Sequence, residues 1–156
     1  MRTKRPAIDN ITEQARVVAA ASRPLVPPAT VPLAAEDMAF FANIVDEFAR
    51  VEWTAHQLEL AAMLARTMAD MAREQALLRD EGGVVEGPHG PIANPRRGVV
   101  QMYATAIMGF RRSLSLHARA TQHDMDKVGK RRGIAKAIER GARQADDGSD
   151  LIATPH

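Results

Sequence analysis

The side chains with the most chemistry to offer in this chain are cations. Residues 127–143 carry Lys127, Lys130, Arg131, Arg132, Lys136, Arg140 and Arg143 against a single acid, Glu139. Guanidinium and ammonium groups at this density bind phosphate oxygens and release condensed counterions. That gives affinity without sequence preference, and makes it fall with salt. If helical, the segment sets Lys136, Arg140 and Arg143 on one stripe and Ile134 and Ile138 on another. Gly129, Gly133 and Gly141 weaken such a helix, and the competing reading is a solvated tail. Arg2, Lys4 and Arg5 place a smaller group of cations at the other end of the chain.

Other chemistry finds little support. There are no cysteines, which excludes a disulfide scaffold, a thiolate metal site and a thiol nucleophile. Glu52 and His56 stand four apart, but Thr54 starts a helix between them. His117 and His123 lack any ligand spacing, so no metal is expected. No GxxxxGK[ST] stretch exists to cradle a nucleotide, and the paired carboxylates Asp146 and Asp147 fall in a tail with no fixed geometry for acid–base work. The residues describe a binding protein without cofactor, not an enzyme. Beyond Asp146, Asp147 and Asp150 comes a short apolar hook, Leu151 and Ile152, suited to docking on a partner.

These groups need elements to hold them. The chain has 156 residues, 46% hydrophobic but only 4% aromatic, so its core must be built from Ala, Leu, Val, Ile and Met. Such interiors favour closely approaching helices. The net charge is only +2, although the pI is about 9.4. No apolar run reaches the roughly 20 residues of a membrane span, and the basic start is not followed by the apolar stretch of a signal peptide.

Residues 1–7 are expected to be disordered and 9–22 to form a short helix with Ile11, Ala15 and Val18 on one face. Four prolines within residues 23–32 make an extended linker. Over 35–49, Met38, Phe41, Ile44, Val45 and Phe48 recur at helical spacing. Thr54 and Gln57 have capping-box spacing, with Trp53 placed to staple against Leu58. A long helix then runs from 55 to about 80 and stops at Gly82-Gly83. Residues 84–93 form a β-hairpin around Gly87-Pro88-His89-Gly90. Asn94-Pro95 starts a helix running to about 116.

Two long helices so joined pair antiparallel. A hairpin of only two long helices has two apolar sides and cannot bury both alone, so self-association follows. Trp53, Leu58, Met68, Met71, Met102, Tyr103 and Phe110 are the expected core or subunit interface, in keeping with a Met- and Ala-rich pattern rather than a ligand box.

In this order, the motifs resemble those of the phage terminase small subunit, of the cohesive-end type found in tailed double-stranded DNA phages. The resemblance rests on Glu52-Trp53-Thr54-Ala55-His56-Gln57-Leu58-Glu59-Leu60-Ala61; on Gly82-Gly83 leading to Asn94-Pro95 and then Leu114-Ser115-Leu116; and on Leu116-His117-Ala118-Arg119-Ala120-Thr121 with the basic stretch, Asp146-Asp147 and Leu151-Ile152-Ala153-Thr154-Pro155-His156. It covers residues 30–156, and the N-terminal stretch shows no helix-turn-helix.

The resemblance implies an all-α, ring-forming protein with a nonamer-like ring, built on an antiparallel helical hairpin with a short β-hairpin and flexible N- and C-terminal arms. The divisions are an arm and linker over 1–33, an oligomerisation core over 34–119 and a DNA-contacting, partner-docking tail over 120–156. It implies a non-catalytic packaging factor that recognises the viral genome's packaging site and recruits and regulates the large terminase subunit, which holds the ATPase and nuclease. Further implied are contact with the portal, no membrane, and a place in the host cytoplasm outside the mature virion. The alternative is a dimeric helical DNA-binding transcriptional regulator.

Overall fold

A computed structural model describes residues 10–116 and 122–149, with side chains of the last helix described over 129–145. Among these residues the chain forms α1 (Ile11–Ala21), α2 (Ala35–Val45), a 3-10 turn (Arg50–Glu52), α3 (Ala55–Glu81), β1 (Val84–Gly87), β2 (Gly90–Ala93), α4 (Arg96–Ser113) and α5 (Gln122–Ser149). The structure is mostly helical, with one small antiparallel hairpin between α3 and α4, as the sequence predicts. Its residues gather into two compact units. One takes in Pro27–Ile44 and Ala55–Ala118; the other takes in Met1–Val26, Val45–Thr54 and Arg119–His156, so far as these are described.

The first unit is the helical hairpin. Helix α3 begins directly after Thr54 and buries Ala61, Ala62, Leu64, Ala65 and Ala69, mostly small side chains that let a neighbouring helix come close. It stops at Gly82, which takes a left-handed φ of 84° while its amide bonds to the Leu78 carbonyl at 3.0 Å. The strands pair Val84 with Ala93, Val85 with Ile92, Glu86 with Pro91 and Gly87 with Gly90. A Cβ on Gly87 would stand 3.1 Å from the Gly90 carbonyl oxygen and from the Ile92 side chain, so a larger residue there would push the strands apart by a few tenths of an ångström.

Asn94 closes the base of this hairpin and starts α4. Its buried side chain donates to Glu81 at 2.9 Å and to the Gly82 carbonyl at 3.0 Å, and accepts the Arg96 amide at 2.9 Å. That is the capping role its position before Pro95 predicts. Arg96 reaches back across α3 to Glu81 at 2.7 Å and to Glu74. The start of α4 therefore lies beside the end of α3, and the two run antiparallel. The Arg96 guanidinium and the Asn94 amide hold the Glu81 carboxyl down to about 2, while Glu81 and Glu74 raise Arg96 above its ordinary value. At its far end α4 closes with the Leu116 amide on the Arg111 carbonyl (2.8 Å) and the Ser115 amide on the Arg112 carbonyl (3.0 Å). This puts Ser115 at a left-handed φ of 56°.

Helix α2 is shorter than the 35–49 periodicity predicts: it ends at Val45, burying Phe41 and Ile44 and leaving Met38 exposed. Asp37 is buried in its first turn, where its carboxylate accepts the Ala34 amide at 2.8 Å. Residues 46–49 leave the helix and run into the 3-10 turn.

In the second unit α1 packs against α5 and the 3-10 turn. Helix α1 starts where Asn10 accepts the Thr12 amide at 3.1 Å. Its buried face is Glu13, Val17 and Ala21, not the Ile11, Ala15 and Val18 that apolarity alone selects; Ile11 is 82% exposed. A charged residue points inward because an arginine of α5 meets it. The segment over 122–149, expected as part of a flexible arm, is one 28-residue helix.

Candidate nucleic-acid interface

The basic segment forms the middle of α5, and its helical geometry decides where each cation goes. Ala135 is fully buried in a small apolar cluster with Val17 and Ala49, to which Val51 and Ile138 add their half-buried faces. The apolar groups occupy only the centre of this contact, and charge surrounds them.

Arg131 reaches Glu13 of α1 at 3.1 Å and Glu52 at 3.3 Å. Glu139, 5% exposed at its side chain, is met from two directions. The Arg50 amide donates to it at 2.8 Å and the Arg50 guanidinium at 2.5 Å, while Arg143 joins from one turn further along α5. Arg50 Nε also donates to the Arg23 carbonyl at 2.5 Å, which ties the end of α1 into the same network. Lys136 pairs with Asp46 at 3.4 Å.

Arg132 takes another course. Its guanidinium lies 3.9 Å above the centre of the Phe48 ring, which stands 5.4 Å from the Trp53 ring at a 40° tilt. The Trp53 indole N–H donates to the Val45 carbonyl at 3.0 Å. Desolvation lowers the Arg132 pKa, against the pull of Glu52. The Nε atoms of Arg132 and Arg143 are buried without a hydrogen-bond partner.

Of the cations that the sequence marks for DNA, the structure therefore brings Arg131, Arg132, Lys136 and Arg143 into internal contacts. Lys130 and Arg140 are exposed. Lys127 lies on α5 with its side chain outside the described residues. Arg2, Lys4 and Arg5, and the docking residues Leu151 and Ile152, also lie outside the described residues. The outward stripe of α5 is sparsely charged: Gly129, Gly133, Ile134, Ala137, Gly141 and Gln144 share it with Lys130 and Arg140.

Two clefts border this unit. One, of about 520 Å3, is lined by Arg16, Arg23 and Arg50 together with Leu25, Val51 and Trp53. The other, about 170 Å3, is lined by Lys136, Arg140 and Arg143 together with Asp46, Phe48 and Glu139. The sequence reading missed Arg16, Arg23 and Arg50. The seven-residue step from Arg16 to Arg23, two helical turns, is the only local signal for the first two; for Arg50 there is none.

The expected interface residues fall mostly in the helical hairpin. Leu58, Met68, Met71, Tyr103 and Phe110 are half-buried and Met102 is 60% exposed, while Trp53 is buried in the α1–α5 unit. Among the described residues no three His, Asp or Glu side chains gather as a metal site, and no helix is long and apolar enough to cross a membrane.

A family model, that of the Hendrixvirinae small terminase family, matches the chain over residues 1–156. No curated protein and no solved structure matches it.

Proposed function

This chain belongs to the Hendrixvirinae small terminase family, and from that premise we propose that it is the non-catalytic subunit that brings viral DNA to the packaging motor. Small terminases serve DNA packaging inside the host cell. The finer reading has three parts: this chain self-assembles into a ring, meets duplex DNA through its α1–α5 unit, and recruits and regulates the large terminase subunit through the segment holding Leu151 and Ile152. It works in the host cytoplasm and is left out of the mature virion.

The observation that carries the DNA reading is the clustering of cations in one unit. Arg16, Arg23 and Arg50 line one cleft, and Lys136, Arg140 and Arg143 line another. Repeated around a ring, such patches act together, because each phosphate contact raises the effective concentration for the next. The half-buried Leu58, Met68, Met71, Tyr103 and Phe110, with exposed Met102, support self-assembly: apolar area left open on a helical hairpin is area a second copy covers.

Two measurements test this. Native mass spectrometry should show a single closed oligomer of many subunits; a dimer would favour a transcriptional regulator, and a monomer would end the ring. A gel shift on duplex DNA should lose affinity by at least tenfold between low and moderate salt, since each phosphate contact releases counterions. A salt-flat response would remove the phosphate-dominated contact.

A further inference from the structure

The charges of α5 pose a physical problem for any nucleic-acid contact. The face of this helix that points away from α1 is mostly uncharged, with Lys130 and Arg140 as its two cations among the described side chains. Most of its charge lies on the inner face and the flank, where Arg131, Lys136 and Arg143 are already held by Glu13, Glu52, Asp46 and Glu139. A phosphate backbone and these carboxylates ask for the same donors.

The apolar part of the contact is slight. Val17, Ala49 and Ala135 are its buried members, and alanine and valine bury little area. The closed state also carries an internal cost. Arg132 is desolvated against Phe48, and its Nε and that of Arg143 have no partner there. Ion pairs with 20–40% exposed donors are sensitive to salt and open to exchange with another anion.

We propose that the carboxylates of α1 and residues 46–52, with Glu139, form an acidic latch over the DNA-binding face of α5, and that duplex DNA opens it by displacing them. The latch rests on the reading that α5 meets nucleic acid. In the closed state Glu13, Glu52, Asp46 and Glu139 occupy the sites that phosphates take. On binding, DNA phosphates replace these carboxylates, α1 separates from α5, and Arg131, Arg132, Lys136 and Arg143 all become donors to the backbone. Closure then disfavours weak, non-specific contacts, because a ligand must offer enough phosphates to replace every carboxylate at once.

Hydrogen–deuterium exchange of the full-length protein reads the latch directly. Duplex DNA should speed exchange in α1 about tenfold, where ordinary binding would slow it, and 0.5 M NaCl alone should do the same. Glu13→Gln with Glu52→Gln removes the two carboxylate charges that face Arg131 without changing side-chain size, and should tighten DNA about fivefold. DNA that binds while α1 stays protected, with the double variant unchanged in affinity, overturns the latch.

Inorganic polyphosphate separates this failure from a failure of the functional reading. If polyphosphate speeds α1 exchange and duplex DNA does not bind, the latch stands and DNA is not the ligand of α5. If polyphosphate binds and leaves α1 protected, the latch falls; if it does not bind, α1 exchange with duplex DNA decides.

Discussion

At the scale of single residues, the best-anchored point is the junction of Asn94, Arg96 and Glu81, where one carboxylate accepts from two side chains at the base of the β-hairpin. Its carboxyl is held at about 2, below its ordinary 4.5. A depressed carboxyl contributes stability that is complete above about 4.5 and is lost as pH falls toward 2, because the unfolded chain takes up the proton first. Thermal melts from pH 5 to pH 2 should therefore drop more steeply for the native chain than for Glu81→Gln; parallel profiles would show that the ion pair contributes nothing in water. Asn94 as a cap was legible, since Asn-Pro before an apolar period has few other readings. Its second task, closing the base of the β-hairpin, was not legible, because side-chain bonds across 12 or 13 residues leave no periodic trace. Glu13 is a similar case. An acid on a helix is read as solvent-facing until its partner is known, and Arg131 lies 118 residues away.

At the scale of elements, α3, α4 and the hairpin were readable because each is bounded by residues suited to a break: Gly82 and Gly90 take the left-handed φ that other residues avoid, and Asn94 caps the restart. Helix α5 was harder. Gly129, Gly133 and Gly141 argue against a helix, while Ala135 and Ile138 against Val17 and Val51 argue for one, and this tertiary contact has no counterpart in local propensity. Nothing lies within 4 Å of a Cβ placed at these three glycines. Replacing each by alanine should then stabilise α5 by roughly 0.8 kcal/mol per site, seen as a higher melting midpoint by far-ultraviolet circular dichroism. Destabilisation would mean that another copy of the chain packs on that stripe in the assembled protein.

At the scale of the whole molecule, the two compact units interleave along the sequence, with α1 and α5 meeting from nearly opposite ends of the chain. A reading made in chain order divides it into arm, core and tail; it has no means to see that arm and tail share an interior. Deleting residues 120–156 should accordingly do more than remove cations: α1 loses its partner, so helical signal falls beyond that of α5 itself and duplex affinity disappears, while assembly through the α3–α4 hairpin persists. Retention of full DNA affinity would reject α5 as the contact. The same interleaving sets an order of events during synthesis. Glu13 leaves the ribosome 118 residues ahead of Arg131, roughly ten seconds at cellular translation rates. Throughout that interval Val17 has Ala49 and Val51 for company but not Ala135, and the nascent first helix keeps one side uncovered until the last one arrives.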